Sequence, residues 1–307
     1  EMTQAERAAG CADIARQLID DPLGAGLDVA MGGGARHFFG SDLGGVRLSP
    51  NEDLAATWQA AGSDRVTVRT AEELDAVHAG QQVLGLFARS HMTYVAEREV
   101  DSTEPTLTEM ALKAVELLSS NPDGYFLMVE GGRIDHGHHD GKPGYALTEA
   151  QAFADSVEAV LEKVDLDDTL VLVTADHSHV FTMGGYPTRG NPILGLVVNN
   201  DGSGQPKDEP DIAADGQPYT TLGYYNGPGA TQTQPRPRPE LGIGAIAQAA
   251  IPIQFAEPDG SFTHDESHGG EDVPLYGTGM GSDGVRGVIE QNKIYDIMTR
   301  ALGWEAR

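Results

Sequence analysis

Apolar positions along this chain alternate between helical spacing and short continuous runs, the pattern of an α/β protein. Residues 3–19 read as a helix with Cys11, Ile14, Ala15 and Leu18 on one face. A strand over residues 27–31 follows and ends in Gly32-Gly33-Gly34. The triple glycine reads as a tight turn, because no Gly-Lys-Ser/Thr or Gly-x-Gly-x-x-Gly pattern accompanies it to cradle a phosphate. Short helices over residues 51–61 and 71–78 alternate with strands over 65–69 and 82–87. Thr106 and Glu109 form a capping box opening a helix to Ser120, with Met110, Ala114, Leu117 and Leu118 inward. That helix feeds a continuous apolar run at 125–129, expected for a strand buried on both faces of a parallel sheet. Thr148 and Gln151 open another helix, with Phe153, Val157, Val160, Leu161 and Val164 at helical spacing, which feeds a second run at 169–174. A last helix over 290–302 turns Ile294, Ile297, Met298 and Ala301 inward.

Both apolar runs end in metal-binding residue types. Glu130, Asp135, His136 and His139 follow the first, and Asp176, His177 and His179 follow the second. Open α/β sheets place ligands at the carboxyl ends of their strands. Gly131 and Gly132 let the backbone turn sharply, and the four-residue step from Asp135 to His139 puts both on one side of a helical turn. A carboxylate and an imidazole so placed can share one zinc ion. Asp176 and His177 are adjacent, so they can share a metal only where the strand has already ended. A third segment, Glu266-Ser267-His268-Gly269-Gly270-Glu271-Asp272, has the same chemistry but must return to the sheet to take part. A single histidine at a strand end is usually capped or solvated. Three histidines and three carboxylates within residues 130–140 are a combination that a solvated loop does not need.

Composition narrows the partners. The chain has 307 residues, enough for one substantial core and a smaller insertion, with 20 Lys and Arg against 47 Asp and Glu and a net charge of −27. Such a surface repels nucleic acid and anionic membrane, so neither is an expected partner, and no apolar run reaches the length of a membrane span. The cations are mostly arginine, which with the excess acid points to a salt-adapted protein; a cation store is the alternative. Cys11 is the only cysteine, so no disulfide can form within the chain. The abrupt charged start is compatible with a beginning inside a longer protein. Over residues 199–240 periodicity fades into Pro, Gly, Asn and Asp, which fits disorder or a loop-rich insertion. The insertion is the preferred reading, because residues 219–225 have strand character and a ligand-like motif follows at His268.

Three motifs stand in order: VEGGRIDHGHH from Val129, VTADHSHVF from Val173 and ESHGGEDVPLYGTG from Glu266. Together they closely resemble alkaline phosphatases, the first two being more similar to the animal type than the enterobacterial type. The resemblance implies a three-layer α/β/α sandwich: partial core over 1–185, crown-like insertion over 186–265, return to the core over 266–307. It implies two zinc ions and one magnesium, with Asp135, His139 and His268 on the first zinc, Asp176 and His177 on the second, and Glu130 on the magnesium. His136 would lie near the phosphate and His179 one step behind the ligands. The implied reaction is hydrolysis of phosphate monoesters through a phosphoserine. The family's serine, bridging aspartate, remaining magnesium ligand and phosphate-clamping arginine have no counterpart here, so the chain resembles a C-terminal part lacking N-terminal strands. An N-terminal companion segment, a homodimer and a periplasmic or secreted location are therefore implied. The alternatives are an inactive metal-binding piece or a related phosphodiesterase or sulfatase-type metallohydrolase.

Overall fold

The parallel sheet expected from the alternating runs forms early in the chain. The computed structural model describes residues 9–20, 27–230, 240–252, 255–256, 262–263 and 265–304. It divides into two units, residues 1–130 with 152–163, and residues 131–151 with 164–307.

The first unit contains α1 (Ile14–Asp20), β1 (Val29–Gly32), α2 (Leu54–Ala60), β2 (Arg65–Val68), α3 (Ala71–Asp75), β3 (Gln82–Leu86) and α4 (Leu107–Leu118). The strands run parallel in the order β1-β3-β2, with Val83 opposite both Val29 and Val66. Central β3 is apolar on both faces, and its side chains alternate between two cores. Val83 joins Val68, Leu74, Phe87 and Leu117, whereas Leu84 and Leu86 join Phe38, Leu54, Trp58 and Ile19. The helices start where local chemistry places them. Asp53 caps α2 and Thr70 caps α3, and the Thr106–Glu109 capping box at α4 is made in both directions.

Two local expectations change and one holds. Residues 3–8 of the first expected helix lie outside the described residues. Helix α1 begins after Asp13, which accepts from the Arg16 N–H; it buries Ala15 and Ile19 and leaves Ile14 exposed. At the triple glycine the chain does make a tight turn: a Cβ on Gly33 would meet the Ser90 carbonyl oxygen at 2.1 Å. Residues 125–129, expected as a buried strand, pair with no strand among the described residues, and Phe126 and Met128 are 62% and 68% exposed. An extended segment becomes a strand only when a neighbour takes up its backbone groups. With β1, the sheet's edge, and α1, this segment lines a cleft of about 1330 Å³.

The second unit contains α5 (Arg133–His139) and the first half of α6 (Pro143–Lys163). Strands β4 (Leu170–Val173), β5 (Ser178–His179), β6 (Phe181–Met183), β7 (Leu222–Asn226), β8 (Ala249–Ile251), β9 (Phe255–Ala256), β10 (Phe262–Thr263), β11 (His268–Gly269) and β12 (Tyr276–Gly279) follow, then α7 (Lys293–Ala301). Thr148, expected to open α6, lies inside it and bonds back to the Gly144 and Tyr145 carbonyls. Pro143 starts this helix instead, since a first-turn residue needs no N–H. Strands β4 and β12 pair antiparallel, β5 pairs with β11, β9 pairs with β10, and β6-β7-β8 form a three-stranded sheet. Leu222, Tyr224, Leu241, Ala247 and Ala249 make the core beneath that sheet, with Leu147 and Phe181 against it. Residues 184–221 leave and re-enter at one point: Met183 faces Leu222, and the Gly184 N–H donates to the Thr221 carbonyl. In α7 the expected inner face holds, with Ile297 buried and Ile294, Met298 and Ala301 half-buried.

Candidate metal centre

Helix α5 sets Asp135 and His139 one turn apart, and the Asp135 Oδ1 lies 3.2 Å from the His139 Nε2. Pairing of β5 with β11 puts His268 opposite His179, carrying the distant third motif to the first two. As a result four imidazoles surround a single carboxylate oxygen. The Asp135 Oδ1 is 3.1 Å from His179 Nε2, 3.5 Å from His268 Nε2 and 3.9 Å from His177 Nε2. That oxygen is buried without a hydrogen-bond partner, which is costly for a carboxylate unless a cation occupies the position. A tetrahedral ion with bonds of about 2.0–2.1 Å spaces its ligand atoms roughly 3.3 Å apart. The triangle of Asp135 Oδ1, His139 Nε2 and His268 Nε2 has sides of 3.2, 3.5 and 3.1 Å. The donor set therefore fits a metal ion.

Glu266, to which sequence reasoning assigned no role, stands behind these donors and is completely buried. Its Oε2 is 2.7 Å from His179 Nδ1, and its Oε1 accepts from the Val180 N–H at 2.7 Å. The Glu266 carbonyl oxygen is 2.6 Å from His139 Nδ1, and its N–H donates to the His139 carbonyl at 3.1 Å. A sequence signal for it exists in its two-residue spacing from His268, which in extended backbone places both on one side. Asn226 ties the same segment down: its side chain accepts from the Ser267 N–H and donates to the Ser267 hydroxyl.

His138 closes the other side, stacked on His179 at 4.6 Å, with its Nδ1 2.9 Å from the Tyr224 hydroxyl. Burial, helped by the neighbouring His179, pushes the His138 pKa down to about 4; Asp135 opposes this and His139 adds to it. Burial also lowers His268, assisted by His177, His139 and His179 against Asp135, and burial beside Glu266 raises the Tyr224 hydroxyl. His138 is thus held neutral at ordinary pH. The folded chain takes up the His138 proton only near pH 4, whereas the unfolded chain does so near 6.5. Stability from this group is complete above about pH 6.5 and lost as the pH falls toward 4, on the order of 3 kcal/mol. Urea midpoints of the metal-free chain should fall across that window, and His138→Asn should flatten the fall; an equally steep fall in the variant would exclude His138 as its source.

The structure thus brings together Asp135, His139, His177, His179 and His268. Asp176 stands beside this group, against His177, and His136 and Glu130 are not among its donors. The Asp176 side chain is 85% exposed, with its Oδ2 3.4 Å from His177 Nε2. His136 turns its Nδ1 to within 3.1 Å of Arg133 Nη1, and Glu130, at the end of the first unit, joins neither donor cluster among the described residues.

Parallel α/β architecture and a converging carboxylate–imidazole cluster define an α/β protein with a metal-type centre. The profile described as alkaline phosphatase matches residues 1–304, and the chain belongs to that family. It is 37% identical over 313 residues to the tissue-nonspecific alkaline phosphatase isozyme of Gallus gallus, covering 95% of this chain and 56% of that protein. Against the Homo sapiens isozyme the identity is 35%, covering 98% and 57%. The chain spans little more than half the length of these curated relatives. Among solved structures, Thermus thermophilus alkaline phosphatase superposes with a TM-score of 0.62 at 22% identity, over 99% of this chain and 66% of that one. A variant of TAB5 alkaline phosphatase with magnesium bound gives 0.58 at 19%, over 95% and 65%. The shared fold is that of alkaline phosphatases. No helix among the described residues is long and apolar enough to cross a membrane.

Proposed function

We propose that this chain is the zinc-holding C-terminal part of an alkaline phosphatase that hydrolyses phosphate monoesters. The convergence of four Nε2 atoms on one buried, hydrogen-bond-free Asp135 oxygen carries this reading. Asp135, His139 and His268 hold the first zinc. Asp176 and His177 hold the second, Glu130 a magnesium, and His136 lies near the phosphate. Bound zinc would supply Lewis acidity toward phosphoryl oxygens and lower the pKa of water. The chain's own contribution is geometric and electrostatic: imidazole nitrogens and one carboxylate converge on one position, and β5 paired with β11 keeps them in place. The nucleophilic serine of the proposed phosphoserine comes from an N-terminal companion segment. The cleft lined by β1 and Phe126, Leu127 and Met128 supports such a companion, because β1 is the edge of its sheet among the described residues and Phe126 and Met128 are exposed. We extend the reading to a crown-like insertion over 186–265, a homodimer, salt adaptation and a periplasmic or secreted location.

The test uses this chain combined with the N-terminal part of an animal-type relative, in high salt with zinc and magnesium. Rates on p-nitrophenyl phosphate should exceed those on bis-p-nitrophenyl phosphate and p-nitrophenyl sulfate by about a hundredfold or more. Faster turnover of either of the latter two would overturn the monoesterase reading.

A further inference from the structure

We propose that Glu266 is a positioning residue that keeps a proton on Nδ1 of both His139 and His179, so that both rings present Nε2 to Asp135. What can donate decides where the protons sit. A backbone carbonyl only accepts, so the 2.6 Å contact between His139 Nδ1 and the Glu266 oxygen requires the proton on Nδ1. The Glu266 carboxylate faces two nitrogens, His179 Nδ1 at 2.7 Å and the Val180 N–H at 2.7 Å, one for each oxygen. The Val180 N–H donates to Oε1 at 2.7 Å and at longer range to the Ser267 carbonyl at 3.3 Å, and Oε2 is the oxygen that faces His179. With both Nδ1 atoms so engaged, Nε2 is the ring atom directed at Asp135, 3.2 Å away in His139 and 3.1 Å in His179. One residue therefore orients two imidazoles by different means, His139 through its backbone and His179 through its side chain.

The choice of glutamate follows from this count. A carboxylate offers an acceptor to each donor, whereas a glutamine amide offers one oxygen and turns its NH₂ toward the other N–H. Groups that orient metal-binding histidines typically contribute ten- to a hundredfold in affinity. That consequence rests on the zinc reading above; the proton positions do not.

The experiment combines long-range ¹H–¹⁵N NMR of the histidine rings with zinc titration against a competing chelator, on the full chain. In the unsubstituted chain both His139 and His179 should show a proton on Nδ1. In Glu266→Gln the His179 Nδ1–H signal should shift or vanish while that of His139 persists, and zinc affinity should fall ten- to a hundredfold. Glu290→Gln, at an exposed position outside the three motifs, should change neither. An unprotonated Nδ1 on His179 in the unsubstituted chain would overturn the proposal, as would a Glu266→Gln variant with unchanged His179 signal and unchanged zinc affinity. If Glu266→Gln does not fold, the ring signals of the unsubstituted chain decide. If the unsubstituted chain binds no zinc, the functional reading fails while the Nδ1 signals still test the positioning role.

Discussion

Replacing Asp135 with alanine is expected to weaken zinc binding by about a thousandfold or more, beyond the ten- to hundredfold typical of lost supporting groups. Asp135 supplies the carboxylate at the meeting point of His139, His177, His179 and His268. Without it a divalent cation would meet imidazoles alone and lose both a ligand and its charge balance. The same substitution should leave the metal-free chain as stable as before, or about 1 kcal/mol more stable. In the absence of a cation the Asp135 Oδ1 is a buried acceptor with no hydrogen bond, and removing such an atom relieves a cost. A structural carboxylate would show the reverse: unchanged zinc affinity and a lower melting temperature. Chelator competition together with thermal melts of the metal-free protein separates the two, and zinc affinity within tenfold of the unsubstituted chain would remove Asp135 from the ligand set.

The second large effect concerns activity. The chain alone should hydrolyse p-nitrophenyl phosphate no faster than free zinc in buffer, and adding the N-terminal part should raise the rate on the order of a millionfold, the scale on which hydrolases depend on their nucleophile. Complementation should also depend on residues 125–129. Phe126 and Met128 point apolar surface outward, each offering about 1.5–3 kcal/mol on burial. Phe126→Glu combined with Met128→Lys should block complementation while leaving zinc binding intact. Chelator-sensitive hydrolysis by the chain alone would show that some residue within it replaces the missing serine.

What was legible in the sequence was local. The Thr106–Glu109 capping box is contained in four residues and needs no tertiary partner to form, so pattern reading recovers it. The parallel strands around β3 were legible because burial on both faces leaves an unbroken apolar run. Asp135 and His139 were found together because one helical turn separates them. Long-range pairing was less accessible. Nothing in residues 266–272 specifies that His268 will face His179, since that register is settled by a ladder joining segments 89 positions apart (268 − 179). Glu266 stood in the third motif without a role of its own for the same reason: that role exists only once Val180 and His179 are beside it. Residues 125–129 show the opposite error. Their composition is that of a core strand, but strand character is a property of a pair, and no partner strand lies beside them among the described residues.

The closure of β6 on β7 makes the stretch between them an exchangeable cassette. Residues 184–221 begin and end at adjacent rungs of one ladder, Met183 facing Leu222. Lengthening a loop whose ends are already joined costs only about 0.6 kcal/mol per doubling. Evolution or an engineer can therefore swap this stretch for longer, shorter or differently charged versions while His179 and His268, held together by their own ladder, keep their spacing.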